Sequence, residues 1–335
     1  MPRPFVLVSA PAALFHSFFS PAHLRRLSRT FRWKRNGAST LSPQLRRDLA
    51  DAEALITTWD TPAFGDDLLE LAPHLRMIGH CGGEVKSRFG PAVFEQLTVT
   101  TVPEPMARST AELGAALVLY CARNVDYYRN EVSRSSHRIF AEVHLHGTPE
   151  SVVGREIGMI GFGRIGRTLV DFLRPFELRW QVYDPYAPRS LCKQFPVEFA
   201  SLSSVLKRST LLVLTAALTK ETRHILDRGS LARLPAGATI INIARGGLID
   251  LDALTREVRK KRLRCAIDVT DPVEPLPRRH PLRSLPGVIL TPHIGGGTSK
   301  ARHEMADALI DDLESFFHGD AIKNRITNAM LARMT

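Results

Sequence analysis

The sequence is poor in cysteine, with four among 335 residues, and these four are far apart. Cys81, Cys121, Cys192 and Cys265 form no Cys-x-x-Cys pair and share no spacing with histidine that is typical of a metal site. This argues against both a zinc site and a disulfide framework. We therefore predict no bound metal and a reducing, cytoplasmic environment.

Long apolar runs are also missing, since none reaches the roughly 18 residues that a membrane span needs. The start of the chain is mildly apolar, but prolines interrupt it and no clean cleavage region follows. We therefore interpret Phe5–Ser9 as a first strand rather than as part of a signal peptide. The composition, 44% hydrophobic and 24% charged, is globular, and 335 residues suit two domains. The sequence thus predicts no association with a membrane.

Lysine is scarce, with 9 residues against 36 arginines, and the formal net charge is +11. Basic residues cluster at 25–35 and 260–264, and one interpretation is nucleic-acid binding. No helix-turn-helix, zinc finger or aromatic RNA-binding signature accompanies the charge. We therefore favour solvated basic surfaces with some attraction for an anionic substrate and cofactor, and we expect no nucleic-acid partner.

Short apolar strands alternate with amphipathic helices along the chain, which is typical of an α/β architecture with parallel sheets. In the first part the predicted strands are Phe5–Ser9, Ala54–Thr58, Arg76–His80 and Thr98–Val102. In the middle they are Glu156–Ile160, Trp180–Tyr183, Thr210–Leu214, Thr239–Ile243, Arg264–Val269 and Val288–Thr291. Six strands with helical crossovers are enough for one doubly wound dinucleotide-binding sheet.

The pattern Ser109-Thr-Ala-Glu112 resembles a capping box and predicts a helix over Thr110–Arg123. A His-rich loop is predicted from about residue 133 to 153. Further helices are predicted at Ile165–Arg174, Leu202–Arg208, Asp252–Arg262 and about Ser299–His318, with Gly319 as the stop of the last one.

A glycine motif follows the strand that ends at Ile160 and opens the next helix. It reads Gly161, Phe162, Gly163, Arg164, Ile165, Gly166. Its first glycine permits a tight turn, the second lets the backbone approach a pyrophosphate, and the third lets helix and strand pack closely. The start of the helix then directs unbonded N–H groups toward the phosphates. The motif predicts a dinucleotide site.

The next strand ends in Asp184, 18 residues after Gly166. A carboxylate there accepts hydrogen bonds from the ribose hydroxyls of the adenosine and repels a 2′-phosphate, so NAD is favoured over NADP. The alternative is that Asp184-Pro185 only forms a turn.

Three further charged residues follow consecutive predicted strands. Arg245 precedes two glycines, and its guanidinium fork suits a carboxylate. Glu274 lies in the acidic segment after the next strand, and His293 follows the strand after that. A histidine paired with a carboxylate is suited to proton transfer. Each residue also has a structural interpretation. Arg245 is consistent with a surface ion pair, Glu274 with a solvated loop charge, and His293 with a structural histidine.

Four segments resemble the D-isomer-specific 2-hydroxyacid dehydrogenase family. They are residues 158–166 (Gly-Met-Ile-Gly-Phe-Gly-Arg-Ile-Gly), 241–250 (Ile-Asn-Ile-Ala-Arg-Gly-Gly-Leu-Ile-Asp), 268–277 and 290–295 (Leu-Thr-Pro-His-Ile-Gly). The resemblance covers roughly Ala54 to Gly319. It implies two Rossmann-like, doubly wound domains, with an NAD-binding domain at 108–298 inserted into a discontinuous, flavodoxin-like substrate domain at 1–107 and 299–335. It also implies a homodimer formed through the helix that starts at Thr110.

In the terms of this family, a hydride moves between the nicotinamide of NAD and C2 of a small anionic 2-keto or 2-hydroxy acid, similar to glyoxylate or hydroxypyruvate. Arg245 then binds the substrate carboxylate, His293 carries the proton, and Glu274 hydrogen-bonds His293. The resemblance further implies cofactor contacts at Ala216, Ala217, Thr222, Ile243, Ala244, Asp268 and Gly295, as well as at Arg245 and His293.

The sequence departs from the family in three places. Thr215-Ala216-Ala217 stands where His-x-Pro is usual. The substrate loop, usually Gly-Val-Gly-Val-Asp, reads Gly82-Gly83-Glu84-Val85-Lys86, and we expect Gly83, Glu84 and Val85 to contact substrate. The acidic segment is one residue longer than in many relatives, so Asp271 is the alternative to Glu274.

Two other functions compete with this interpretation. One is a dehydrogenase for formate or phosphite, although the formate enzymes of the family carry Gln where Glu274 stands. The other is a non-catalytic, NAD(H)-responsive regulatory protein of the same fold, because such proteins can retain the Arg, Glu and His.

Overall fold

The computed structural model describes residues 3–134, 136–145 and 150–333. Position 135 and residues 146–149 of the predicted loop, and the two residues at each end of the chain that belong to the predicted substrate domain, lie outside the described residues. The chain divides into two compact units, Met1–Met106 with Gly297–Thr335, and Ala107–Gly296.

The strands are β1 (Phe5–Ser9), β2 (Arg32–Asn36), β3 (Ala54–Thr57), β4 (Met77–His80), β5 (Thr98–Thr101), β6 (Glu156–Ile160), β7 (Arg179–Tyr183), β8 (Val197–Phe199), β9 (Leu211–Leu214), β10 (Thr239–Asn242), β11 (Arg264–Ile267) and β12 (Val288–Leu290). All ten predicted strands are confirmed, with ends that differ by two residues at most.

The helices are α1 (Ala12–Phe18), α2 (Pro21–Thr30), α3 (Pro43–Ala50), α4 (Leu68–Leu71), α5 (Pro91–Gln96), α6 (Pro103–Ala122), α7 (Val125–Arg134), α8 (Ser136–Leu145), α9 (Arg164–Phe172), α10 (Leu202–Arg208), α11 (Arg228–Ala232), α12 (Leu251–Arg259), α13 (Ser299–His318) and α14 (Asn328–Arg333). None of the helices in the described ranges is long and apolar enough to cross a membrane.

The sheet of the first unit is parallel, with the order β2-β1-β3-β4-β5. This is the flavodoxin-like doubly wound order. The side chains of β1 alternate between two cores, with Val6 and Val8 packed beside α1 and α13, and Leu7 packed beside α3. An unbroken apolar run is therefore required here, because both faces of the strand are covered by helices.

The edge strand β2 was not predicted from the sequence. Arg32, Lys34 and Arg35 are exposed on it, so its sequence lacks the apolar pattern that reveals a strand. Part of the basic cluster at 25–35 is neutralised within the unit, since Lys34 pairs with Asp48 at 2.7 Å and Arg26 pairs with Asp311 at 2.6 Å.

The sheet of the second unit has seven parallel strands in the order β12-β11-β10-β9-β6-β7-β8. Six were predicted; the additional strand is β8, whose three residues are too few to show a periodic pattern. Counted from β6, the order is that of a dinucleotide-binding sheet with one more strand at the end. Its switch point lies between β6 and β9, where the glycine motif follows β6.

The helix predicted over Thr110–Arg123 is present, but its predicted start is wrong, and so is the loop predicted after it. Helix α6 begins at Pro103, so Ser109 lies inside the helix, where it is buried, and the capping box does not form. The predicted loop at 133–153 is largely helical, because α7 and α8 occupy residues 125–134 and 136–145. Residues 125–145 contain neither proline nor glycine, and this favours helix over the loop suggested by their histidines. Helices α10 and α13 are confirmed at their predicted bounds, and Gly319 ends α13 in a left-handed conformation with φ of 83°.

Candidate functional site

The glycine turn between β6 and α9 is closed at two glycines and open at the third. A Cβ on Gly161, whose φ is +90°, would lie 2.4 Å from the Cα of Ala216. A Cβ on Gly166 would lie 3.0 Å from the carbonyl oxygen of Gly161. At Gly163 no atom lies within 4 Å of that position. The turn therefore leaves room at the one glycine whose backbone would face a pyrophosphate.

The remaining residues of the motif contribute differently. Gly163 is the N-cap of α9 and has no side chain that would fill the space in front of this nine-residue helix. Phe162 is buried against Phe195 and Phe199, and its backbone N–H is bonded to Asp184, so it supports the turn rather than facing a cofactor. Arg164 is exposed and Ile165 is half-buried. The residues present thus fit the diphosphate of a dinucleotide.

Asp184 binds the glycine turn as well as the turn that follows β7. Its Oδ2 accepts a hydrogen bond from the Phe162 N–H at 2.7 Å, and its Oδ1 accepts from the N–H groups of Tyr186 and Ala187 at 2.9 and 3.0 Å. The carboxylate therefore has the turn-forming role that the sequence left open. Oδ1 already accepts two hydrogen bonds, whereas Oδ2 accepts one and keeps a second lone pair for a ribose hydroxyl.

The segment that replaces His-x-Pro also supports the glycine turn. The hydroxyl of Thr215 donates to the carbonyl of Gly161 at 2.6 Å. The hydroxyl of Thr222 donates to the carbonyl of Ala217 at 2.7 Å. Ala216 packs directly against Gly161, so a change in the conformation of this loop would also displace the glycine turn.

Arg245 follows β10 on a backbone that Asn242 fixes. The fully buried Asn242 donates to the carbonyl of Arg245 at 2.9 Å and accepts from the N–H of Ala244 at 3.1 Å. Gly246 is needed next, since a Cβ there would lie 2.2 Å from the carbonyl carbon of Thr270. The guanidinium of Arg245 is exposed and donates to the carbonyl of Ala244, and no carboxylate of the described residues pairs with it. Its charge is available to an anion, whereas the neighbouring Ile243 and Ala244 are buried.

Glu274 and His293 are brought together. Nδ1 of His293 lies 2.9 Å from Oε2 of Glu274, and the two side chains are 50% and 36% exposed. The other carboxylate of the segment, Asp271, pairs with Arg223 at 3.2 Å. With Nδ1 bonded to Glu274, Nε2 is the nitrogen of His293 that can exchange a proton with a ligand.

The loop that carries His293 is anchored on Asp268, whose side chain is 2% exposed. Its Oδ1 accepts from the Thr291 hydroxyl at 2.6 Å and from the Ile294 N–H at 2.9 Å. Its Oδ2 accepts from the Gly295 N–H at 2.9 Å. Both carboxylate oxygens of Asp268 therefore bond the protein's own loop, a role that its predicted contact with the cofactor did not anticipate.

Arg245, Glu274 and His293 follow β10, β11 and β12, which are neighbours in the sheet. Ligands of open α/β sheets bind outside this carboxyl edge. Among the described residues, no group of three His, Cys, Asp or Glu side chains is arranged to hold a metal ion.

The predicted substrate loop lies in the first unit. The side chain of Val85 is fully buried in the core. The carboxylate of Glu84 accepts from the N–H and the hydroxyl of Ser87 at 2.8 and 2.7 Å, so it closes the loop on itself. Gly83 is half-buried and keeps its backbone accessible. Gly82 packs against the buried His80, because a Cβ on Gly82 would lie 2.3 Å from Nε2 of that ring. Burial lowers the pKa of His80 to about 3, so the ring is neutral at pH 7.

Sequence reasoning missed several residues that shape the site, namely Asn242, Thr215 and Ser109. Ser109 donates its hydroxyl to the carbonyl of Gly295 at 2.6 Å. Its only sequence signal was the Ser-x-x-Glu pattern, which predicted a cap.

The family model described as D-isomer specific 2-hydroxyacid dehydrogenase, NAD binding domain, matches residues 115–295. A hydroxypyruvate reductase of Thermotoga maritima is 32% identical over 275 residues, which are 81% of this chain and 86% of that protein. A D-3-phosphoglycerate dehydrogenase of Methanocaldococcus jannaschii is 31% identical over 286 residues, 84% of this chain, but the match spans only 53% of that protein.

Among solved structures, a phosphoglycerate oxidoreductase from Rhizobium etli is similar with a TM-score of 0.79 and 27% identity. The similarity covers 97% of this chain and 99% of the other. The likeness therefore includes both sheets and not only the segment matched by the family model.

Proposed function

This chain belongs to the D-isomer-specific 2-hydroxyacid dehydrogenase family and is an NAD-dependent oxidoreductase, and we propose that it reduces a small 2-keto acid of the glyoxylate or hydroxypyruvate type to the D-2-hydroxy acid. The observation that carries the proposal is the His293–Glu274 pair, 2.9 Å apart, at the sheet edge that also presents Arg245. The Glu supports keto-acid over formate chemistry, because only a keto oxygen has to be protonated.

In this proposal Arg245 binds the substrate carboxylate, and its exposure without a carboxylate partner in the described residues supports the role. His293 donates the proton at Nε2 to the keto oxygen as C2 is reduced. Glu274 holds the ring through Nδ1 and stabilises the imidazolium. NAD, when bound, supplies or accepts the hydride.

For the cofactor, we propose that Gly161–Gly166 hold the diphosphate and that Asp184 binds the adenosine ribose. The open space at Gly163, in front of the positive end of α9, supports the first assignment. The further contacts are proposed at Ala216, Ala217, Thr222, Ile243, Ala244, Asp268 and Gly295, with Asp268 acting mainly through the loop it anchors.

We propose that residues 108–298 form the NAD-binding domain and that residues 1–107 and 299–335 form the substrate domain. The substrate loop then acts through the backbone of Gly83 and Glu84, because the carboxylate of Glu84 bonds Ser87 and Val85 is fully buried.

A homodimer is proposed through the helix predicted from Thr110, now α6, and we extend the interface to α7 and α8, which a second copy of this chain would cover. These helices expose large apolar side chains that a monomer leaves in water, namely Tyr127, Val132, Phe140 and Leu145. All four cysteines are unpaired, which supports a cytoplasmic location.

A panel assay tests the proposed function. Purified protein is mixed with NADH and with glyoxylate, hydroxypyruvate, 3-phosphohydroxypyruvate or formate plus NAD, and the near-ultraviolet absorbance is followed. We expect turnover with a 2-keto acid and none with formate. NADH binding without turnover of any keto acid would instead favour the regulatory alternative.

A further inference from the structure

His293 has a backbone conformation that its surroundings must enforce. Its φ is +56°, in the left-handed region that residues other than glycine rarely adopt. Such conformations persist where neighbouring contacts leave the chain no alternative, and they are frequent at sites of function. The contacts that hold residues 293–295 therefore decide where the imidazole lies.

One side of this loop is bonded to Asp268. The carbonyl oxygen of Asp268 accepts from the His293 N–H at 2.9 Å, and its carboxylate accepts from the next two N–H groups. These bonds use the donors of the loop. They leave its carbonyl groups to be bonded elsewhere.

The other side of the loop is bonded to α6. The hydroxyl of Ser109 donates to the carbonyl of Gly295 at 2.6 Å, and Ser109 is 6% exposed. Gly295 has little space to move, because a Cβ there would lie 3.0 Å from Oδ2 of Asp268 and 3.4 Å from Cγ2 of Thr110. The loop is thus held between a buried carboxylate and a buried hydroxyl.

We propose that Ser109 is a positioning residue for His293. By fixing the Gly295 carbonyl to α6, its hydroxyl keeps the His293 backbone left-handed and the imidazole ring in place against Glu274. The inference rests on the proposed function for its catalytic consequence but not for its structural one, since the position of the ring is measurable without turnover.

The test compares Ser109→Ala, which removes the hydroxyl, with Ser109→Cys, which replaces it with a somewhat larger group that is a weaker donor. Ser209→Ala is the matched control, because Ser209 is also buried and donates to a backbone carbonyl, that of Val205, away from this loop. Folding of each variant is checked by its thermal melt.

We expect Ser109→Ala to lower kcat about tenfold to a hundredfold, as displaced catalytic groups do, while the dissociation constant of NADH stays within about twofold. Ser109→Cys is expected to lie between wild type and Ser109→Ala, and Ser209→Ala to match wild type. The pH profile of kcat/KM is expected to move only in the Ser109 variants. Equal losses in Ser109→Ala and Ser209→Ala, or an unchanged profile in both, would overturn the proposal.

A second readout separates this inference from the proposed function. The ring signal of His293, assigned by its loss in His293→Gln, is followed by NMR of histidine-labelled protein across pH. We expect Ser109→Ala to shift the signal and its titration even if no keto acid is turned over. An unchanged His293 signal means that Ser109 does not position the ring, whatever the reaction proves to be.

Discussion

Oε2 of Glu274 lies 2.9 Å from Nδ1 of His293, while Oε1 of the same carboxylate accepts the N–H of Thr270 at 3.1 Å. The carboxylate is thus held from one side by the backbone of its own loop and presents its other oxygen to the imidazole. This bond fixes the orientation of the ring and leaves Nε2 for the substrate.

We expect Glu274→Gln to reduce kcat by about a hundredfold or more, because an amide cannot stabilise the imidazolium as a carboxylate does. Asp271→Asn is the matched control, since Asp271 lies in the same segment but pairs with Arg223. Steady-state kinetics with the best keto acid of the panel measures both. A larger loss in Asp271→Asn than in Glu274→Gln would reverse the assignment of the two carboxylates.

Arg245→Lys should raise the KM for the keto acid by about tenfold or more, because a lysine cannot form the two parallel bonds of a guanidinium to a carboxylate. Arg259→Lys on the exposed side of α12 controls for the general effect of the exchange. The dissociation constant of NADH, from fluorescence titration, should change little in either variant. If the KM of Arg245→Lys equals that of wild type, this residue does not bind the carboxylate.

Asp184→Ala is expected to erode the preference for NADH over NADPH and to weaken NADH binding itself. The second effect follows because the carboxylate also accepts the Phe162 N–H of the glycine turn. Asp171→Ala, on the exposed surface of α9, is the control. Fluorescence titration with both cofactors measures the ratio, and an unchanged ratio contradicts a ribose contact.

Asp48 is expected to contribute stability that depends on pH. Burial acts to raise the pKa of its carboxyl, but hydrogen bonds from Lys34, Asn36 and Gln44 outweigh it and lower the pKa below 3.8. Since the folded pKa lies below the unfolded one, the contribution is present above the unfolded value and is lost as the pH falls through the folded value.

Urea unfolding of wild type and Asp48→Asn measures this contribution. We expect the difference in the free energy of unfolding to be largest near pH 7 and to shrink below about pH 4, where the unfolded carboxyl takes up its proton. A difference that is constant from pH 7 to the lowest pH at which wild type remains folded would mean that the hydrogen bonds do not depend on the charge.

The sequence predicted the elements whose signal is local. The apolar runs of β6 and β10 are visible because both faces of these strands are buried, and the glycines at 161 and 166 are visible because no larger residue fits. Charged β2 gave no such signal. The choice between Glu274 and Asp271 depended on which carboxylate meets His293 and which meets Arg223, and spacing along the chain does not determine that.

Ser109 also shows that a local sequence pattern does not identify a distant hydrogen-bond partner. Ser-x-x-Glu predicts a cap by its local pattern, yet the partner of the hydroxyl is Gly295, 186 residues away. Val85 was expected to contact substrate, but the residue is fully buried and packs in the core of the first unit. These contacts are tertiary, and no periodicity in the sequence encodes them.

The charges of β2 bear on how the protein behaves at high concentration. One side of this strand pairs with β1, and among the described strands none pairs with its other side, so a row of backbone donors and acceptors could accept a strand from a neighbouring molecule. Lys34 is paired with Asp48, but Arg32 and Arg35 place like charges where two such edges would meet, and their repulsion disfavours that pairing. Neutral residues at positions 32 and 35 would therefore preserve the fold of a single molecule while removing its protection against aggregation.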